Sequence, residues 1–385
     1  MAIKSVRTGD RSISVLNGNT AVMPAPTATG GAASASVAFT AVAGASSYTV
    51  ISTPGSFTGT GSSSPITVSG LTNGTAYTFQ IAATISGRVG GYSQASNSVT
   101  PIDPTVTTVE SLVIAGGAAG GFASDRSGGG GAGGLLYNST KSITTGVSYT
   151  ITVGAGGSVV SDGEGGNGSN SVFDSFTATG GGGGGRLGNG KNGGSGGGAG
   201  GTNNTSTGNT GGTATSGQGN VGGNSQRSNG ESTSSGGSGG GASGAGNTNP
   251  YQAPPTLQNG ATGGAASSDY STWATATSTG VSGAYAGGGG SMGNSPTATS
   301  SGGGGGAGGV TYVGGTRTGN SATANTGSGG SATIQTGGGA GGSGIVIIRY
   351  DSGLPAAVST TGSPAVVTSG GYRYYTFTGS GSITF

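Results

Sequence analysis

Apolar and polar positions alternate in short runs near both ends of the chain. Val37 and Phe39, Tyr48 and Val50, Ile66 and Val68, and Tyr77, Phe79 and Ile81 stand two residues apart, with clusters of Gly, Ser, Pro and Asn between the runs. Alternation punctuated by turn residues is the pattern of short antiparallel strands, so residues 25–102 read as a small β-sandwich. Residues 1–24 ahead of it read as an arm. The Pro-flanked stretch 103–109 reads as a stiff linker. At the far end, 351–385 reads as a β-meander: Ala365 to Thr368, Tyr372 to Phe377 and Ser382 to Phe385, with Gly-containing turns between them. Tyr372 and Tyr374 fall on one face of the middle strand and Tyr375 and Phe377 on the other.

Between these ends the pattern changes. Of the 96 glycines among 385 residues, 77 lie between positions 116 and 344. That is one residue in three, against roughly 7% in ordinary proteins. The β-branched runs "ESLVIAGG" (110–117) and "SYTITVGAGG" (148–157) lead straight into glycine, and "GIVIIRY" (344–350) leads straight out. Such framing argues against a floppy linker. Collagen is excluded by the unbroken runs 180–185 and 302–306 and by a total of only 12 Pro. The remaining reading for 110–350 is a bundle of polyglycine-II helices. This conformation has three residues per turn, rises about 3.1 Å per residue and makes no internal hydrogen bonds. Its amides and carbonyls must therefore pair with neighbouring chains. A helix surrounded on all sides should be nearly pure Gly, which places 180–185 and 302–306 inside. A peripheral helix tolerates Ser or Ala, which places 128–134, 193–201 and 337–344 outside. The fold class expected is all-β: an N-terminal sandwich followed by a glycine-rich body of polyglycine-II helices framed by strands.

Composition narrows the function classes. Cys and His are absent, charged residues are 6% and the formal net charge is +2. No thiolate chemistry, disulfide or histidine base is available, and no basic footprint for nucleic acid exists. No run approaches the ~18 apolar residues of a membrane span. The many G-x-G-x-x-G matches are chance at this glycine content and no helix signal follows them. "LGNGKNGG" (187–194) has Asn192 where a phosphate loop needs Ser or Thr, and "GGNGSNSVF" (165–173) is a lone calcium-roll-like turn with Asn170 in place of an Asp ligand. Asp162 and Glu164 beside it are read as solvated. The acids form no pattern of paired catalytic carboxylates. The chain is read as non-enzymatic, with no cofactor and no metal.

Two segments carry resemblances. "VSGLTNGTAYTFQIAA" (68–83) and "SNSVTP" (96–101) resemble a fibronectin type III domain, with Leu71 as a core plug, Tyr77 as the corner tyrosine and Phe39 where that family has Trp. "VESLVIAGG", "GAGGLLY", "YTITVGAGG", "DSFTATGGGGGG" and "GGSGIVIIRY" in this order resemble the glycine-rich domain of tailed-phage fibre and appendage proteins. The body is similar to the polyglycine-II tip adhesins of T-even phage long tail fibres. That resemblance implies stacked polyglycine helices holding out variable loops that bind the bacterial outer surface. It implies an external virion location and, as partners, other virion proteins and a host cell-surface glycan or outer-membrane protein. It also implies a homo-oligomer, a trimer being common in such families.

Candidate site residues follow. In 247–286 the glycine thins and Tyr251, Tyr270, Trp273 and Tyr285 appear, Trp273 being the only Trp. Rigid aromatics among Ser, Gly, Asn and Thr have the composition of a recognition surface; a local core stapling a loop to the bundle is the other reading. If recognition holds, replacing Tyr270 and Trp273 by Ala should abolish adsorption and leave the fold intact. Lys4, Arg7 and Arg11 in the arm are read as virion-docking residues. Two alternatives stay open: a head, neck or baseplate decoration without receptor binding, and a glycan depolymerase spike.

Overall fold

The computed structural model describes residues 22–123, 126–201, 208–225, 235–249, 259–293, 295–333 and 337–385. Lys4, Arg7, Arg11 and Tyr251 lie outside the described residues. The chain divides after Thr105 into two compact units, and among the described residues both are all-β apart from one short helix.

In the first unit β1 (Thr27–Gly31), β2 (Ser34–Ala38) and β5 (Ile66–Ser69) form one antiparallel sheet. β3 (Ala45–Thr53), β4 (Thr58–Gly61), β6 (Thr78–Ile85) and β7 (Arg88–Val89) form a second, in the order β4-β3-β6-β7. The alternation in the sequence is the reason. Val37, Val50, Val68, Phe79 and Ile81 each turn into the shared core and are fully buried. Met23 belongs to that core as well, so the arm gives way to the sandwich earlier than its polar composition implies. Leu71 is buried, and the Tyr77 hydroxyl accepts the Thr72 amide at 3.0 Å. Phe39 is only partly buried, packed at 4.5 Å against the Tyr48 ring.

The second unit begins before the expected linker ends, because Val106 and Val109 are already buried in its core. Its frame is two five-stranded sheets. One contains β8 (Thr108–Ile114), β9 (Leu135–Ser142), β15 (Ile345–Asp351), β17 (Ala365–Ser369) and β18 (Tyr372–Phe377), in the order β17-β18-β15-β8-β9. The other contains β10 (Ser148–Thr152), β11 (Ser171–Phe173), β12 (Phe176–Ala178), β16 (Ser359–Thr361) and β19 (Gly381–Thr384), in the order β12-β11-β10-β19-β16. Val113, Ile151, Phe173, Val346, Ile348, Phe377 and Ile383 fill the space between them. The segment after 351 is therefore not a free-standing meander. Its strands divide between the two sheets, because β18 finds its partner in β15 and β19 finds its partner in β10. A second corner tyrosine stands here: Tyr149 accepts the Thr144 amide at 2.7 Å. "LTNGTAYTF" (71–79) and "ITTGVSYTI" (143–151) share the spacing that builds both corners.

Glycine begins where the strands end. Segment 115–121 continues from β8, and its backbone has threefold periodicity. The amides of Ala115, Ala118 and Gly121 bond to the carbonyls of Gly134, Gly131 and Gly128; those of Gly116 and Ala119 to Ser169 and Gly166; and those of Gly117 and Gly120 to Gly342 and Gly339. Three further segments donate to its carbonyls, from Gly157, from Gly181 and Gly184, and from Gly330 and Thr333. Every third residue meets the same neighbour, and six neighbours surround the chain. This is the polyglycine-II lattice, in which three residues make one turn and each backbone polar group is paired outward. Segments 128–134, 195–200, 236–241, 287–292 and 328–333 are likewise wholly buried. The remaining β13 (Val310–Val313) and β14 (Thr316–Gly319) make a hairpin between two such segments.

The structure corrects which runs are inside. Segment 180–185 is interior as expected: five segments surround it, and the side chains of Asn170 and Asn167 cap the Gly180 and Gly183 amides at 2.9 Å. Segments 128–134 and 193–201 were expected outside and are buried throughout. Run 302–306 was expected inside and instead ends in a turn in which Gly304, Gly305 and Gly306 have φ of +87°, +57° and +85°. Three consecutive left-handed residues require glycine for the backbone, not for packing. The demand for glycine inside is set residue by residue. A Cβ at Gly117 would lie 2.1 Å from the Ser328 carbonyl oxygen and one at Gly120 2.0 Å from that of Ser331, yet Ala118 and Ala119 between them carry their methyls fully buried. Only positions that face a carbonyl exclude a side chain.

Candidate functional site

The aromatic segment builds its site on the sheet. Strand alternation in β8, β9, β15 and β18 turns Glu110, Tyr137, Arg349, Tyr372 and Tyr374 to the face opposite the inter-sheet core. The register sets Arg349 directly between Glu110 on β8 and Tyr374 on β18. Arg349 forks onto Glu110, with Nε–Oε1 at 3.1 Å and Nη2–Oε2 at 2.9 Å, and donates to the Tyr374 hydroxyl at 3.2 Å. Its guanidinium lies 4.4 Å from the Trp273 ring centre and 4.1 Å from that of Tyr372. Burial alone would lower its pKa, but the bonds to Glu110 and Tyr374 outweigh this and raise it.

A helix that the sequence pattern did not announce covers this face. α1 (Ser271–Thr277) buries Trp273 and Ala274 and ends at Ser278 in the left-handed conformation. Thr275 and Thr277 return their hydroxyls to the carbonyls of Ser271 and Trp273 at 2.9 and 2.7 Å. Trp273 meets Tyr137 edge-on at 6.0 Å, Tyr374 at 5.9 Å and Tyr270 at 6.5 Å. Tyr285 is fully buried in the same cluster, its hydroxyl 2.5 Å from Thr279 Oγ1, and burial raises its pKa. Trp273 and Tyr285 thus staple the loop to the sheet. Tyr374 is buried against them, so the middle strand of the expected meander packs on both faces.

Tyr270 is the described member of the aromatic set that reaches the surface. With Tyr137, 5.3 Å away between ring centres, it walls one side of an open recess of about 480 Å3. Tyr137 is 38% exposed, and its hydroxyl donates to Glu110 at 2.5 Å. Burial, together with the bond to Glu110 and its charge, pushes the Tyr137 pKa up to about 12. Because the folded value lies above the unfolded one of ~10, the protonated phenol favours the native state. This contribution is intact below pH ~10 and disappears as pH rises towards 12. Burial raises the phenols of Tyr270, Tyr285 and Tyr350 as well, so ultraviolet titration should show several late-ionising tyrosines, one of which Glu110→Gln brings down.

The sequence reading missed Tyr137, Glu110 and Arg349. A signal was present: a single Arg inside the apolar run "IVIIRY" requires a partner when its strand is buried, and Glu110 directly precedes the apolar run of the other strand of similar character.

At the other end of the glycine segments, away from the sheets, polar turns project. Asp162 and Glu164 are exposed there, yet each is paired. Arg186 meets Asp162 at 2.7 Å and Lys191 meets Glu164 at 3.4 Å, so turns 158–165 and 185–191 are tied together. Exposed pairs of this kind contribute about 0–1 kcal/mol. The β13–β14 hairpin presents Tyr312 and Val313, the latter 76% exposed. Among the described residues no cluster of metal-ligating side chains occurs, and no helix is long and apolar enough to cross a membrane.

A family model described as a glycine-rich domain matches residues 93–351, about two thirds of the chain, and its first residues fall inside the sandwich unit. Neither the search of curated proteins nor that of solved structures returned a match.

Proposed function

Because this chain belongs to the glycine-rich domain family, we propose that it is an external virion appendage of a tailed phage, a fibre part or fibre tip displaying loops for host-surface recognition. The observation that carries this reading is the lattice itself. Interior segments 115–121 and 128–134 each hold six neighbours through the backbone. Side chains are therefore not needed to hold the segments together, and the connecting turns can change sequence without disturbing the scaffold. The order of motifs around the glycine runs and the sandwich unit ahead of them support the same reading.

In this reading Lys4, Arg7 and Arg11 dock the chain to other virion proteins, and the polar turns meet a glycan or outer-membrane protein of the host. Trp273 and Tyr285 are structural, since a buried ring has no surface to offer. A trimer remains the proposed assembly. Antibody labelling of intact particles, imaged by electron microscopy, tests the reading. Label at fibre ends, with purified chain competing for host adsorption, is expected. Label confined to head, neck or baseplate without competition would replace it with the decoration role, and absence from particles would end both.

A further inference from the structure

The recess beside Tyr137 and Tyr270 has the chemistry of a sugar site. Its volume of about 480 Å3 falls within the roughly 300–1,000 Å3 of small-molecule sites. Leu135 provides apolar floor, and Tyr137 and Tyr270 provide ring surface on one wall. Hydrogen-bonding capacity is left over around the rim. Asp269 Oδ2 accepts the Ser267 hydroxyl at 3.1 Å, while its Oδ1 accepts nothing from the described residues. Asn220 spends its amide nitrogen on the carbonyls of Gly241 and Ala242 at 2.9 and 3.0 Å, and its Oδ1 is unpaired among the described residues. The Tyr270 hydroxyl likewise has no hydrogen-bond partner among them. Burial and the neighbouring Asp269 raise its pKa.

We propose that this recess binds a neutral saccharide, a hexose or hexosamine unit, with one pyranose face against Tyr137 and Tyr270 and its hydroxyls donating to Asp269 and Asn220. A pyranose has an apolar C–H face and a rim of hydroxyls, and an aromatic wall beside unpaired acceptors complements both. Charge selects among sugars. Among the described residues Asp269 is the only charged side chain lining the recess, and Glu110 stands behind Tyr137. Arg349 is engaged by Glu110, so among the described residues no cation is free there to receive a carboxylated or phosphorylated sugar. The inference goes beyond the proposed virion role, since this recess lies on the sheet and not among the distal turns.

The single Trp supplies a reporter, since Trp273 touches both Tyr137 and Tyr270. Purified full-length chain is titrated with glucose, galactose, N-acetylglucosamine and their disaccharides, with sialyllactose and glucuronate as anionic counterparts. Tryptophan emission and saturation-transfer NMR are followed to about 50 mM, well above a Kd of ~1 mM. At least one neutral sugar is expected to saturate the signal, and the anionic ones to fail. Asp269→Asn and Tyr270→Phe should each weaken binding several-fold with an unchanged unfolding midpoint, and Tyr270→Ala at least tenfold. No saturable response to any neutral sugar, or equal binding by Asp269→Asn and Tyr270→Ala, overturns the proposal. The titration uses neither phage nor host, so its failure leaves the virion reading standing, and failure of particle labelling leaves this one standing.

Discussion

Gly239→Ala is expected to unfold the glycine-rich unit under conditions where Gly379→Ala leaves it unchanged. A Cβ at Gly239 would sit 1.9 Å from the Gly130 carbonyl oxygen and 2.4 Å from its carbon, both backbone atoms of a segment with neighbours on every side. No rotamer relieves a methyl, so segments 236–241 and 128–134 must separate. Overpacking of this kind costs about 1–3 kcal/mol. The amides of Gly129 and Ala132 donate to Gly237 and Gly240 across the same contact. Each buried bond stretched beyond reach adds about 1–3 kcal/mol. The total is about 3–9 kcal/mol against a typical stability of 5–15 kcal/mol. Gly379 also lies in the second unit, but a Cβ there meets nothing within 4 Å and its φ is not positive, so its substitution should stay within about 0.5 kcal/mol. Denaturant unfolding and amide exchange measure the difference. Equal stability of the two variants would mean that the segments are not packed as described.

The same physics separates what was legible in the sequence from what was not. Strands announce themselves locally: alternation in "YTFQI" and "YTITV" and apolar continuity in "IVII" require no partner to be recognised. Threefold glycine structure is legible too, because runs without Cβ suit a helix whose backbone bonds all point outward. Neighbours are not legible. Arg349 and Glu110 stand 239 residues apart, and only the antiparallel register of β8 and β15 joins them. Whether a run is interior depends on which carbonyls face it, so 128–134 with its Ala132 lies inside while the purer run 302–306 ends in a turn. α1 has no capping side chain and no acidic first turn; burial of Trp273 holds it, and burial is a tertiary fact. Of the recess, Tyr270 was in the expected set, whereas Tyr137 and Asp269 reach it through β9 and through the chain ahead of α1.

Trp273→Ala should destabilise the second unit severely, and Tyr270→Ala only slightly. This reverses the expectation from composition that both rings can be removed with the fold intact. Trp273 is 3% exposed and packs on Tyr137, Tyr270 and Tyr374, with the Arg349 guanidinium over its face. Truncating a buried Trp costs about 3–5 kcal/mol, and the lost cation–π contact adds about 0.5–2 kcal/mol. Arg349 would keep Glu110 but lose one of the three rings around its guanidinium, and α1, with Trp273 as its main buried side chain, would lose its anchor. Tyr270 is half-buried, and its hydroxyl has no partner among the described residues, so its removal should cost about 1 kcal/mol, the ordinary size of a single substitution. Thermal unfolding of the two single variants decides the matter. A stable, fully folded Trp273→Ala would return Trp273 to the recognition surface. A large loss for Trp273→Ala beside a small one for Tyr270→Ala leaves Tyr270 as the substitution with which any effect on adsorption can be read as recognition and not as unfolding.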